Sequence, residues 1–114
     1  MRALGRDGEE RAVQYLKKRG YQILERNYFT RYGEIDIVAK KKGVIVFVEV
    51  KSNRSWNAEY SFTPYKAKRV YKAAMIYLSS KNLCESPYRF DLIAINGEDI
   101  VHYENILEEG GVIG

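Results

Sequence analysis

Asp36, in Gly33-Glu34-Ile35-Asp36-Ile37-Val38, and Glu49 with Lys51, in Val44-Ile45-Val46-Phe47-Val48-Glu49-Val50-Lys51, are charges in stretches whose apolar pattern gives them no ordinary place. Both stretches read as strands, and the second is the nearly unbroken apolar run of a strand covered on both faces. Side chains alternate across a strand, so Glu49 and Lys51 share a face, about 6.6 Å apart along it. A neighbouring strand can bring Asp36 beside them. Removing an ion from water costs several kcal/mol even after relaxation, so such a cluster persists only if its members pair, hold a metal or do chemistry.

The chemistry that suits two acids and a lysine is phosphodiester hydrolysis. It needs a water made nucleophilic at neutral pH and neutralisation of the charge that builds on the phosphate and the leaving oxygen, and Mg²⁺ supplies much of both. Mg²⁺ takes carboxylate and carbonyl oxygens at about 2.0–2.1 Å and keeps several waters, so Asp36, Glu49 and the Val50 carbonyl suffice as protein ligands. Mn²⁺ accepts the same oxygen donors. Lys51 adds a compact cation with rotatable donors beside the metal. Glu9 can complete the metal shell or hold a water. The plainer reading is a cross-strand pair that satisfies itself. Glu9 and Lys66 weigh against it, because both lie on helix stripes that should be apolar and point toward the same sheet. Singly, each keeps a plain explanation: Glu9 as an acid favoured by the helix dipole, Lys66 as a side chain that snorkels to the surface.

The elements that must position these groups follow from periodicity and punctuation. Ala12, Val13 and Leu16 recur at helical spacing over about 5–19, Gly20 is a stop, and one turn back along the stripe lands on Glu9, with Glu10 on the polar side. A first strand is expected over 21–28, a second over 34–39 and a third over 44–51, the last two joined by a Lys40-Lys41-Lys42-Gly43 hairpin. Thr63-Pro64 starts a second helix, with Lys66, Val70, Ala73, Ala74 and Tyr77 along one face. A strand over 88–95, an Asn96-Gly97 turn and a last strand around 100–103 follow. The tail is expected to form one short helical turn before loose glycines. The order predicts an α/β sandwich with a mixed central sheet flanked by helices, α-β-β-β-α-β-β, the second helix acting as the crossover.

At 114 residues the chain is long enough for one core, read as a single domain over 1–104 with a short tail over 105–114. A formal charge of +4 and a pI near 9.1 suit a polyanionic partner without demanding one. The single Cys84 has no internal disulfide partner and reads as inert, and no apolar export or spanning segment is visible, so a cytoplasmic, non-membrane protein is expected. Lys66, Arg26, Arg54 and Arg69, with other scattered basic residues, can line a groove for phosphates, which positions a nucleic acid without reading its bases. The Lys40–Lys42 tip reads as solvated. Trp56, in the polar segment 52–62, can stack on unpaired bases or pack the loop down, and for Tyr60 packing is favoured. His102 reads as an ordinary strand residue, and Asp91 as a partner of Arg89 or of a helix residue rather than a metal ligand.

Read together, Gly8-Glu9 with Ala12 and Tyr15-Leu16, Gly20-Tyr21-Gln22-Ile23-Leu24-Glu25-Arg26-Asn27, Gly33-Glu34-Ile35-Asp36, Val46-Phe47-Val48-Glu49-Val50-Lys51, Thr63-Pro64-Tyr65-Lys66 and Arg89-Phe90-Asp91 resemble the YraN family of small bacterial proteins over nearly the whole chain. That family is placed in the restriction-endonuclease-like superfamily with the PD-(D/E)xK signature and is distantly similar to archaeal Holliday-junction resolvases. The resemblance implies a restriction-endonuclease-like core and a metal-dependent nuclease site of Glu9, Asp36, Glu49 and Lys51. The signature's proline is replaced by Ile35, while every proposed ligand is present. Two readings therefore stand: a Mg²⁺- or Mn²⁺-dependent endonuclease acting on structured DNA, with RNA as the other polymer and a homodimer as the arrangement that paired cuts would need, or a non-catalytic nucleic-acid-binding or assembly module that keeps the fold.

Overall fold

Helix α1 (Arg2–Lys18) stops where the sequence places its stop. Gly20 takes φ +88°, its N–H donates to the Lys17 carbonyl, and the Tyr21 N–H reaches back to the Leu16 carbonyl, both at 3.1 Å. This is a Schellman cap, and Leu16 and Tyr21 pack in the same core cluster beneath it. In the computed structural model the described residues are 2–53, 63–108 and 111–112. After α1 come β1 (Gln22–Thr30), β2 (Gly33–Lys41), β3 (Val44–Asn53), α2 (Pro64–Ser80), β4 (Tyr88–Asn96), β5 (Asp99–Tyr103) and two short strands, β6 (Leu107–Glu108) and β7 (Gly111–Val112).

Strands β1 to β5 form one sheet in sequence order. All neighbours are antiparallel except β3 and β4, which run parallel because α2 carries the chain back between them. The expected order α-β-β-β-α-β-β is found, and with it the mixed sheet flanked by helices that defines a restriction-endonuclease-like core. The β2–β3 connection is a two-residue turn, Lys42 at φ +51° and Gly43 at φ +82°, the primed geometry that matches strand twist. Thr63 caps α2 by accepting from the Lys66 N–H at 3.2 Å, with Pro64 at the first helical position.

Each helix covers one face of the sheet. Ala12, Val13 and Leu16 of α1 meet Ile37, Ala39, Val46, Val48, Ile93 and Ile95. Val70, Ala73, Ala74, Tyr77 and Leu78 of α2 meet Ile35, Val38, Ile45, Phe47 and Phe90 on the other side. β3 is thus buried on both faces, as its continuous apolar run requires. The tail departs from expectation: β6 pairs with β7 instead of forming a helical turn. The Ile106 N–H donates to the Phe90 carbonyl at 2.7 Å, and Ile106 and Leu107 pack on the α2-side core, which fixes the segment as extended chain. No helix among the described residues is long and apolar enough to cross a membrane.

Candidate metal centre

Strands β2 and β3 pair from Lys41↔Val44 to Ile37↔Val48, and the ladder ends there. The next step would set Asp36 opposite Glu49. Instead β2 stays with β1 as far as Gly33, and β3 stays with β4 as far as Asn53. The Val50 N–H is taken by the Asp36 carboxylate at 2.8 Å, so an acidic side chain replaces a backbone acceptor at the fork. The face alternation of β2 slips at the same point: Ile35 lies in the α2-side core, while Ile37, two residues on, lies in the α1-side core.

The fork holds a cavity of about 440 Å³. Glu34 and Asp36 enter it from β2, and Glu49, Val50 and Lys51 from β3. Glu9 comes from α1 and Lys66 from the first turn of α2. α1 runs close to β3 at Gly8, where a Cβ would stand in van der Waals contact with Ser52, 3.4 Å from its Cβ. Carboxylate oxygens of Glu9, Glu34 and Asp36 all lie within 4.8 Å of one another. Asn27 bridges two of them, its amide nitrogen donating to Glu9 at 3.0 Å and also to Glu34. Lys51 Nζ lies 3.5 Å from Glu49 Oε2, confirming that the two side chains share a face. The other oxygen, Glu49 Oε1, is the one fully buried side-chain polar atom among the described residues without a hydrogen-bond partner.

Crowding and burial set the electrostatics. Burial, then the neighbouring Glu49, push the Asp36 carboxyl up to about 8, against the pull of the Val50 N–H. Burial raises Glu49 as well, opposed by Lys51 and Lys66. Burial and the adjacent Lys51 lower Lys66. Such a set gathers carboxylates whose mutual repulsion is relieved either by a proton, as at Asp36, or by a bound cation. Among the described residues the acidic donors are all oxygen, no His or Cys lines the cavity, and one buried oxygen lacks a partner, which fits Mg²⁺ or Mn²⁺ and disfavours a zinc-type site.

Of the residues singled out in the sequence, Glu9, Asp36, Glu49, Val50, Lys51 and Lys66 all meet here. Arg69 lines the adjoining cavity. Arg26 does not reach either: its Nη1 sits 3.1 Å from Glu10 on the surface, because Glu10 leaves α1 on the side that faces β1. Arg54 and Trp56, with Tyr60, lie outside the described residues. Glu34 and Asn27 were not anticipated. Glu34 carries a signal in hindsight, two residues before Asp36 on one strand, whereas Asn27 announces nothing.

A second polar cluster lies under the α1 side of β4. Asp91 is 1% exposed, and with Glu49 it is one of the two buried charged residues among those described. It accepts from Arg89 Nε at 3.0 Å and Nη2 at 3.2 Å and from the Asn105 N–H at 2.9 Å, and it lies 2.7 Å from His102 Nε2. Burial pushes its carboxyl up, but the hydrogen bonds from His102, Arg89 and Asn105 outweigh it and hold the group below the usual range. Every acceptor position is used, and of the two partners expected for Asp91 it is Arg89, not a helix residue, that pairs with it. His102, read as an ordinary strand residue, closes the cluster.

A mixed sheet between two helices, forked over a nest of carboxylates with a lysine two residues beyond one of them, defines a restriction-endonuclease-like protein with a candidate divalent-metal centre. The model of the uncharacterised protein family UPF0102 matches residues 8–95. A UPF0102 protein of Syntrophomonas wolfei is 50% identical over 101 residues, 86% of this chain and 88% of its own length. Those of Persephonella marina, 41% identical over 91% of this chain and 92% of its own length, and Thermodesulfovibrio yellowstonii, 45% identical over 90% and 93%, align as fully. The chain belongs to the UPF0102 (YraN) family.

Proposed function

We propose that the chain is a Mg²⁺- or Mn²⁺-dependent endonuclease that hydrolyses phosphodiester bonds of structured or branched DNA. The observation that carries this reading is the buried, unpartnered Glu49 Oε1 in a cavity shared with Asp36, Glu9 and Glu34. A satisfied structural pair has no reason to leave that oxygen without a donor, since an unmade hydrogen bond costs about 1–3 kcal/mol. The Asp91 cluster in the same sheet shows what a purely structural carboxylate looks like here.

Asp36 and Glu49, with the Val50 carbonyl, would hold the ion, and Glu9 would complete the oxygen set. When bound, the ion lowers the pKa of water and screens charge on the phosphate. Lys51 supplies a compact cation within reach of the same oxygens, so it stabilises charge that grows as the phosphorus centre becomes crowded. Lys66 adds a second positive group on the α2 side, where a strand of DNA would enter. The Asn27 amide keeps Glu9 and Glu34 aimed inward while the site is free of cation.

Nicking of branched and flapped DNA with Mg²⁺ or Mn²⁺ tests the proposal. Wild-type protein should cleave, and Glu49→Ala or Lys51→Ala should lose about a hundredfold or more. Wild type and both variants giving one common background would leave the non-catalytic binding or assembly module as the better account.

A further inference from the structure

The carboxylate cavity opens into a second one of about 210 Å³, lined by Tyr32, Gly33, Tyr65 and Arg69 and sharing Glu34, Glu49 and Lys66 with the first. Tyr32 stands at the tip of the β1–β2 hairpin, and Tyr65 on the first turn of α2. Among the described residues the two most exposed large apolar side chains are Phe29, 73% exposed, and Tyr65, 68% exposed. Tyr65 lines the second cavity, and Phe29 lies on the strand next to Glu34, which lines both. Phe29 is the register partner of Glu34, so the two side chains leave the β1–β2 ribbon on one face. Neither ring is doing core work, and two aromatics at one site need another reason to face water.

Cations stand over the two tyrosine rings of the cavity. Lys72 Nζ lies 5.1 Å from the Tyr32 ring centre, and the Arg69 guanidinium 5.7 Å from that of Tyr65. Aromatic faces alternating with positive groups are the pattern by which proteins hold unpaired nucleotides, the rings stacking on bases while the cations track phosphates. Duplex offers no free base face. The volume is below the roughly 300 Å³ at which pockets for drug-sized molecules begin, so the cavity suits a single ring system.

From these features we infer that the second cavity is a subsite for one unpaired nucleotide of a DNA strand, its base stacked on Tyr65 and Tyr32 and its phosphate held by Arg69 and Lys66. This rests on the nuclease reading only for what lies at the neighbouring carboxylates. It makes the substrate a junction between paired and unpaired DNA, such as a flap or a single-stranded end, because the flanking nucleotide must leave its stack to enter.

Fluorescence anisotropy with labelled oligothymidylate and with a duplex of equal length, both in EDTA, tests the inference without any cleavage. Tyr65→Ala should weaken single-strand binding about five- to hundredfold while duplex affinity stays within about twofold, and Tyr65→Phe should restore it. Tyr32→Ala should act in the same direction, with thermal melts confirming that its hairpin is intact. Equal losses on both polymers, or none on the single strand, overturn the subsite. Oligouridylate binding more than about tenfold tighter than thymidylate overturns the assignment to DNA. Stacking-dependent binding with no metal-dependent cleavage would sink the nuclease proposal and leave the subsite standing, whereas cleavage indifferent to Tyr65 would do the reverse.

Discussion

Asp36→Asn should stabilise the metal-free protein, which is the opposite of what removing a hydrogen-bonded, half-buried side chain usually does. The asparagine oxygen can still accept from the Val50 N–H, so the fork keeps its bond, but the charge beside Glu49, Glu9 and Glu34 is gone. The group's folded value of about 8 lies above its ordinary 3.8, so in the wild type ionisation works against the fold. Its stability cost is absent at low pH, grows as pH rises from about 4, and levels off above about 8. At 1.36 kcal/mol per pH unit the full displacement from 3.8 to about 8 is on the order of 6 kcal/mol. Partial solvation and relaxation of the cluster absorb a good part, and about 2–3 kcal/mol is the figure to expect. For a domain of this size that is a rise in Tm of roughly 10 °C at pH 8.5 in EDTA, shrinking as pH falls toward 4. Mn²⁺ at a thousand times Kd should reverse the order, since it then adds about 4.1 kcal/mol to the wild type and little to a variant lacking the ligand charge. Differential scanning fluorimetry across pH, with EDTA or Mn²⁺, reads both effects. An Asp36→Asn protein that melts lower than wild type at every pH in EDTA, with an unchanged Mn²⁺ response, would show that Asp36 is an ordinary structural acceptor and that the argument from crowding is wrong.

The remaining expectations use the same logic on other residues. Glu49→Gln should abolish the calorimetric signal of Mn²⁺ binding, and wild-type affinity should rise with pH up to about 8, because protons must leave Asp36 before the ion binds; pH-independent affinity would refute this. Asp91→Asn should destabilise by about 3 kcal/mol in urea melts, because it strips the charge from a buried partner of Arg89. The Asp91 carboxyl is held below its ordinary value in the fold, so its contribution is present above about pH 4 and disappears as pH falls through the folded value; a flat wild-type-minus-variant difference down to pH 2 would contradict it. Asn27→Ala should cost about 1–2 kcal/mol from the left-handed backbone and the lost amide bonds, with Asn27→Gly recovering the backbone part only. Equal melting of the two variants would remove the backbone from the account.

The parts legible in the sequence are those fixed by local chemistry. Gly20, Lys42-Gly43 and Thr63-Pro64 punctuate the chain where the structure turns or caps it, and the apolar run of β3 announces burial on both faces. Glu49 and Lys51 fell on one face by alternation alone, and helical spacing turned Glu9 and Lys66 inward. What was not legible depends on contacts between distant segments. Period two cannot show that β2 slips between Ile35 and Ile37, nor that its ladder with β3 stops there, so Glu34 went unclaimed. The surface pairing of Arg26 with Glu10 needs the α1–β1 packing to be known. Ile106 and Leu107 look like loose tail until Phe90 offers a carbonyl and a core to pack on.

One residue links the strain of the site to the shape that makes it. Asn27 falls between the pairs Arg26↔Ile37 and Tyr28↔Ile35, opposite Asp36, with φ +52°. Asparagine is among the few non-glycine residues that tolerate that conformation, because its short polar side chain can bond locally. Here it bonds to Glu9 and Glu34, so the left-handed backbone opposite Asp36 is stabilised by the carboxylates its side chain gathers. The site and the irregularity in the sheet are therefore one feature, and the two helix-covered cores on either side supply the stability that lets four acids stand so close.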